Sequence, residues 1–66
     1  MWIKTAQRSY EVTEINIITK GDESELWAKR KDNSTVRLFK GLEQDVIDHK
    51  EAIEFSIKNN IKLYEM

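Results

Sequence analysis

The order of apolar and polar positions divides the chain into strands first and a helix last. Over residues 25–40 (ELWAKRKDNSTVRLFK) apolar and polar residues alternate on both sides of a polar centre at Asp32 and Asn33. A period of two marks half-buried strands, and Asp and Asn tolerate the backbone of a tight reversal. The stretch therefore predicts a β-hairpin. With Asp32 and Asn33 as the two central turn residues, Trp27 pairs with Leu38, Lys29 with Val36, Leu26 with Phe39 and Ala28 with Arg37. One face then carries Trp27, Val36 and Leu38. The other carries Leu26, Ala28, Phe39, Arg30 and Arg37. A three-residue turn would reshuffle these pairs. Both faces are apolar at the base and charged near the turn, so the base packs and the tip projects into water.

Residues 2–5 read as a first strand, with Trp2 facing away from Ile3, and residues 6–9 as a polar break. In the run YEVTEINIITK, Tyr10 and Val12 share one parity, whereas Ile15 and Ile17 share the other. A one-residue slip sends side chains to the opposite face, so a bulge or a turn lies near Thr13 and Glu14. The preferred reading is two short strands, 9–12 and 15–19, joined by a tight bend. Gly21 supplies a permissive backbone for a turn over 20–24. Gly41 ends the hairpin, and a helix follows over about residues 42–59. At the helical step Leu42, Val46, His49, Ile53, Ser56 and Ile57 form one stripe. Glu43 and Asp45 in its first turn and Lys58 in its last complement the helix dipole. Asn59 or Asn60 suits the left-handed residue that closes a helix. Residues 61–66 alternate again, as a last edge strand or an extended tail. The sum is one α+β domain over 1–66: a small antiparallel sheet of about four to six short strands, then one C-terminal amphipathic helix covering a face.

This pattern resembles a group of small, uncharacterised proteins of Gram-positive bacteria and their phages that open with Met-Trp-Ile. The matching residues are Met1-Trp2-Ile3-Lys4, the irregularity in 10–17, Leu26-Trp27-Ala28, and 38–41 leading into the helix. The chain departs from the group at Gly41-Leu42-Glu43, where a small polar helix cap is usual. The resemblance implies a phage or mobile-element type of protein with a small sheet and one helix. It implies no activity and no functional residue.

Composition narrows the classes. A chain of 66 residues buries only about 60% of its unfolded surface, so an extra staple is expected. There is no Cys and one His, so disulfides are excluded and neither a structural metal nor a cofactor is called for. Self-association is the remaining staple. Ile47 and Phe55 lie off the helix stripe with Glu51 between them. They read as an oligomer face, unless the tail residue Tyr64 covers them. No apolar run approaches the roughly 18 residues of a membrane span, and the N-terminus lacks a signal-peptide core. A cytoplasmic protein with no membrane partner is expected.

Eleven basic and twelve acidic residues give a net charge of -1, so the whole chain is not a polyanion binder. The basic residues are not evenly spread, however. Lys29, Arg30, Lys31, Arg37 and Lys40 cluster on the hairpin. There Arg30 and Arg37, as diagonal neighbours, would grip a phosphate or carboxylate, with Trp27 and Phe39 as stacking surfaces for a base. The bland reading is that these charges keep a projecting hairpin soluble. Catalysis has little to work with. His49 beside Asp45 and Asp48 is the one base candidate, and it sits on the core stripe. The paired carboxylates (Glu11 and Glu14, Glu51 and Glu54) lack a cleft to shift them. Asn33-Ser34-Thr35 matches a glycosylation sequon but reads as turn chemistry. The expectation is a small non-enzymatic binding protein and homo-oligomer that takes a host protein or a small anionic, nucleotide-like ligand on the basic hairpin. A nucleic-acid-binding module is the alternative, marked by steep salt dependence. A His49 enzyme stands below both.

Overall fold

The computed structural model describes residues 1–66. Its elements are β1 (Trp2–Lys4), β2 (Ser9–Lys20), β3 (Glu23–Arg30), β4 (Thr35–Leu42), α1 (Glu43–Lys58) and β5 (Leu63–Glu65). The fold class is the α+β sheet and C-terminal helix that the pattern predicts, with the short last strand present. The strand order is β4-β3-β2-β1-β5. All neighbours are antiparallel except β1 and β5, which run parallel. The sheet is thus mixed, because α1 carries the chain back across it before β5 begins.

Residues 9–20 form one strand, not two joined by a bend. The parity change is absorbed by a bulge between Val12 and Glu14. Thr13 is the extra residue, so Val12 and Ile15 both reach the core side. A bulge costs less than breaking the ladder and bends the strand while raising its twist. The turn from β2 to β3 is Gly21-Asp22, with Gly21 at φ +60° and Lys20 opposite Glu23. A positive φ at the first central residue alone is the requirement of a type II′ turn.

The hairpin of β3 and β4 departs from the two-residue expectation. The Arg30 amide donates to the Ser34 carbonyl, and the Asn33 amide donates back to the Arg30 carbonyl. Three residues, Lys31 to Asn33, therefore make the loop, and Asn33 takes the left-handed position at φ 72°. Leu26 still faces Phe39, but Trp27 now faces Arg37, Ala28 faces Val36 and Lys29 faces Thr35. A second bulge, at Leu38, reconciles the two halves. Val36 thereby joins Leu26 and Ala28 on the core side, while Arg37 joins Trp27 on the outer side.

The core is Ile3, Val12, Leu26, Ala28, Val46 and Ile53, with Tyr10, Ile15, Ile17, Val36, Leu38 and Phe39 packed around it. Buried Ser24 donates to the Thr19 hydroxyl, and the Ser56 hydroxyl returns to the Ala52 carbonyl. Helix α1 buries Val46, Ile53 and Ser56. Two members of the predicted stripe are not core. Leu42 is 66% exposed because it is the extended N-cap residue, and Ile57 is 49% exposed at the stripe margin. The helix closes at Asn60 (φ 59°), where the Asn60 amide reaches the Ile57 carbonyl and the Ile61 amide reaches the Ser56 carbonyl. This pair of bonds is a Schellman motif. No helix is long and apolar enough to cross a membrane.

With two bulges in its long strands, the sheet coils until its ends approach. Phe39 on one edge and Met66, just beyond the other, line the same cleft. Helix α1 fills the gap: the His49 ring lies 4.7 Å from that of Phe39, and its Nδ1 shares a 3.0 Å hydrogen bond with the Tyr64 hydroxyl.

Candidate functional site

Glu25 is the centre of the outer sheet face. It is 5% exposed, although it lies on an open face of β3. The Trp27 indole N–H donates to one carboxylate oxygen at 3.0 Å, and the Arg37 guanidinium donates to the other at 3.0 Å. The Lys20 ammonium stands 3.5 Å away. The period of two puts Glu25 and Trp27 on one face, and the cross-strand register brings Arg37 opposite Trp27. Hydrogen bonds from Trp27, then from Arg37, hold the Glu25 carboxyl below its ordinary range against the opposing effect of burial; Lys20 adds to the lowering.

This network answers what the basic hairpin does with its charges. Arg37 is tied to Glu25, Lys40 lies 3.5 Å from Glu23, and Lys31 lies 3.8 Å from Glu11. Arg30 places its guanidinium 5.6 Å from the centre of the Tyr10 ring, on which Arg8 also lies at 5.3 Å. Lys29, half-buried, is in no ion pair. Arg30 and Arg37 do not form a fork on one face. Arg30 follows Val12 toward the core side, while Arg37 follows Trp27 outward. The three-residue turn and the Leu38 bulge separate them. Trp27 is half-buried with its N–H committed, and Phe39 packs on His49, so neither is an open platform for a base. At the tip, Asp32 accepts from the Ser34 hydroxyl at 2.6 Å and from the Ser34 amide at 3.0 Å. These bonds, the hydroxyl first, hold its carboxyl below the usual range.

Three of the predicted site residues do converge. Arg37, Phe39 and Lys40 line a cleft of about 440 Å³ with Tyr10, Leu38 and Met66. Its opposite wall is Thr5, Ala6 and Gln7 from the β1–β2 loop. That loop is held by Thr5, whose hydroxyl oxygen accepts from the Gln7 and Arg8 amides. Cations and apolar groups thus meet in one concave surface with no acidic side chain in its lining. Arg30 and Lys31 lie in a separate depression of about 310 Å³ with Trp2 and Tyr10.

On the helix, Ile47 is half-buried, Glu51 exposed and Phe55 63% exposed. Tyr64 does not cover Phe55, because it turns to His49. His49 has no carboxylate partner: Asp48 accepts from Gln44, and the His49 contacts are Tyr64 and Phe39.

Glu25, the Tyr10 ring beside two guanidiniums, and the loop wall of the cleft were not among the residues expected from the sequence. The first was within reach, since Glu25 and Trp27 share a strand face with a cation opposite. The cleft was not, because it depends on the coiling of the sheet.

Comparison with protein-family models, with curated proteins and with solved structures returned no match to this chain.

Proposed function

We propose that the chain is a small non-enzymatic binding protein that takes an anionic ligand of nucleotide size in the cleft between β4 and the β1–β2 loop. The lining carries this reading. Arg37 and Lys40 border an apolar floor of Tyr10, Leu38, Phe39 and Met66, with no acidic side chain among them. A cleft of about 440 Å³ falls in the range of small-molecule sites, roughly 300–1,000 Å³. Glu25 takes one guanidinium donor of Arg37. A guanidinium has five N–H donors, so the remainder serve a ligand from a fixed position. Preorganisation of this kind reduces the ordering cost of binding.

The test is an amide NMR titration with adenosine monophosphate as the probe. Shifts are expected at residues 5–7 and 37–40, and they should vanish in Arg37→Glu combined with Lys40→Glu. Shifts confined to Arg30 and Lys31, or none at millimolar probe, would overturn the site.

A second observation favours self-association as the context of that binding. Phe55 remains 63% exposed on the outer side of α1, with Ile47 on the same side. A large aromatic left in water by a chain with so small a core marks a contact surface, and a second copy is the partner this reading assigns to it.

A further inference from the structure

The cleft between β4 and the β1–β2 loop runs along the outermost strand of the sheet. β4 ends the strand order on that side. Residues 37–40 make no backbone hydrogen bond beyond the ladder to β3. On an outermost strand, alternate amides and carbonyls point away from the sheet and form a template for another strand. Arg37, Leu38, Phe39 and Lys40 make one wall of the cleft. Across from them stand Thr5, Ala6 and Gln7, and the Ala6 amide and carbonyl bond no backbone group either. The cleft is therefore bordered on both long sides by main chain with donors and acceptors to spare.

The side chains of this wall sort by face. Arg37 lies opposite Trp27 and Lys40 opposite Glu25, on the outer side, whereas Phe39 lies opposite Leu26 on the core side. Because the Leu38 bulge takes up one residue, the interval from Arg37 to Lys40 matches only two steps of a regular strand, Trp27 to Glu25. Phe39, Leu38, Tyr10 and Met66 pack around the core and floor the cleft. Arg37 and Lys40 hold Glu25 and Glu23, which lie outside the lining, and both cations stay half exposed. An exposed pair such as Lys40 with Glu23 contributes little, so Lys40 is available to a second carboxylate. A regular strand laid along β4 alternates its side chains in the same way. Two of its residues, two positions apart, stand beside Arg37 and Lys40, and the one between them turns to the apolar floor.

We infer that the ligand of this cleft is a short, extended acidic peptide that adds a strand to β4, with carboxylates two residues apart on Arg37 and Lys40 and an apolar side chain between them on the floor. The inference rests on the cleft reading above and names the class of its ligand. In strand addition the main-chain hydrogen bonds supply affinity, and the pockets for alternate side chains supply specificity. Charged side chains and a bulge on an outermost strand work against indiscriminate pairing. Here both are cationic, so they turn away basic and neutral strands and admit an acidic one.

Amide NMR with acetyl-Glu-Leu-Glu-amide as the probe, run beside adenosine monophosphate, tests this. The peptide should shift residues 5–7 and 37–40 and slow amide exchange in β4. The same peptide with N-methylated main-chain amides keeps the side chains but loses the donors, and it should bind roughly tenfold more weakly. Acetyl-Lys-Leu-Lys-amide should give no shifts. Arg37→Glu combined with Lys40→Glu should reverse the preference between the two peptides, with circular dichroism to show that the variant is folded. The two peptides on the unaltered chain carry the charge test without it. Cleft shifts with the nucleotide but none with the acidic peptide would overturn strand addition and leave the anion site standing. Equal binding of the N-methylated peptide, or of the lysine peptide, would overturn it as well. Shifts with the acidic peptide and none with the nucleotide would support the added strand and overturn the nucleotide as ligand. Silence from both probes would overturn both readings.

Discussion

A single carboxylate organises the outer face of the sheet. Glu25 is nearly buried, and Trp27, Arg37 and Lys20 all direct donors or charge at it. Its acidity is raised by the fold, so the stability it contributes is present above the unfolded carboxyl value of about 4.5. That stability is lost as the pH falls through the lower folded value. Glu25→Gln should lower the melting temperature at neutral pH. The gap from the unaltered chain should shrink steadily in acid; a gap independent of pH would show that the charge is not what matters. Arg37→Ala should also destabilise, because it leaves Glu25 nearly buried with one donor fewer. Much of this was legible in the sequence as parity and cross-strand proximity. What hid it was the Leu38 bulge, which shifts Arg37 from opposite Ala28 to opposite Trp27. A bulge leaves little trace in an apolar pattern, so side chains beyond it are read onto the wrong face.

At the scale of elements, the turns carry the chain's conformational demands. Gly21 sits at φ +60° with nothing within 4 Å of where a Cβ would stand. Gly21→Ala therefore meets no clash with a neighbour and should cost the backbone strain of a side chain at the first central position of a type II′ turn, about 1–3 kcal/mol. Urea denaturation should show a lower midpoint with an unchanged slope. Asn33 at φ 72° is tolerated rather than optimal, so Asn33→Gly should be neutral or slightly stabilising, whereas Asn33→Val should destabilise clearly. The existence of the strands and the helix was readable from periodicity, and so was helix closure by an Asn. The join of residues 9–20 into one strand was not, because a parity break in sequence has the same appearance whether a bulge or a bend absorbs it. Leu42 and Ile57 were placed in the core by periodicity alone. The helix axis relative to the sheet decides which margin of a stripe is covered, and that is a tertiary property.

For the whole molecule, the size of the core sets the tolerance. At typical per-residue stability, a 66-residue chain holds roughly 3–10 kcal/mol. Ile53, fully buried on the sheet-facing side of α1, should cost about 2–5 kcal/mol when cut to Ala. Ile53→Ala is expected to lose a large part of that stability and to melt well below the unaltered chain by circular dichroism, while Ile53→Val should lose only about 0.5–1.5 kcal/mol. If copies associate, the melting temperature must also rise with protein concentration, and it should stop doing so in Phe55→Glu.

The parallel seam between β1 and β5 has a kinetic consequence. Trp2 faces Leu63 and Lys4 faces Glu65, so this pairing joins segments at opposite ends of the residues described. The three hairpins, β1–β2, β2–β3 and β3–β4, each close over a few residues, whereas the seam must close a loop nearly as long as the chain, which is entropically slower. Three residues and the Tyr64–His49 bond then hold β5 in place. It should form last and open first. In native-state hydrogen exchange the Met66 amide, donated to Lys4, should exchange orders of magnitude faster than amides in β3. Each such opening strips the cover from β1 and leaves, for its lifetime, a sheet with a fresh unpaired edge.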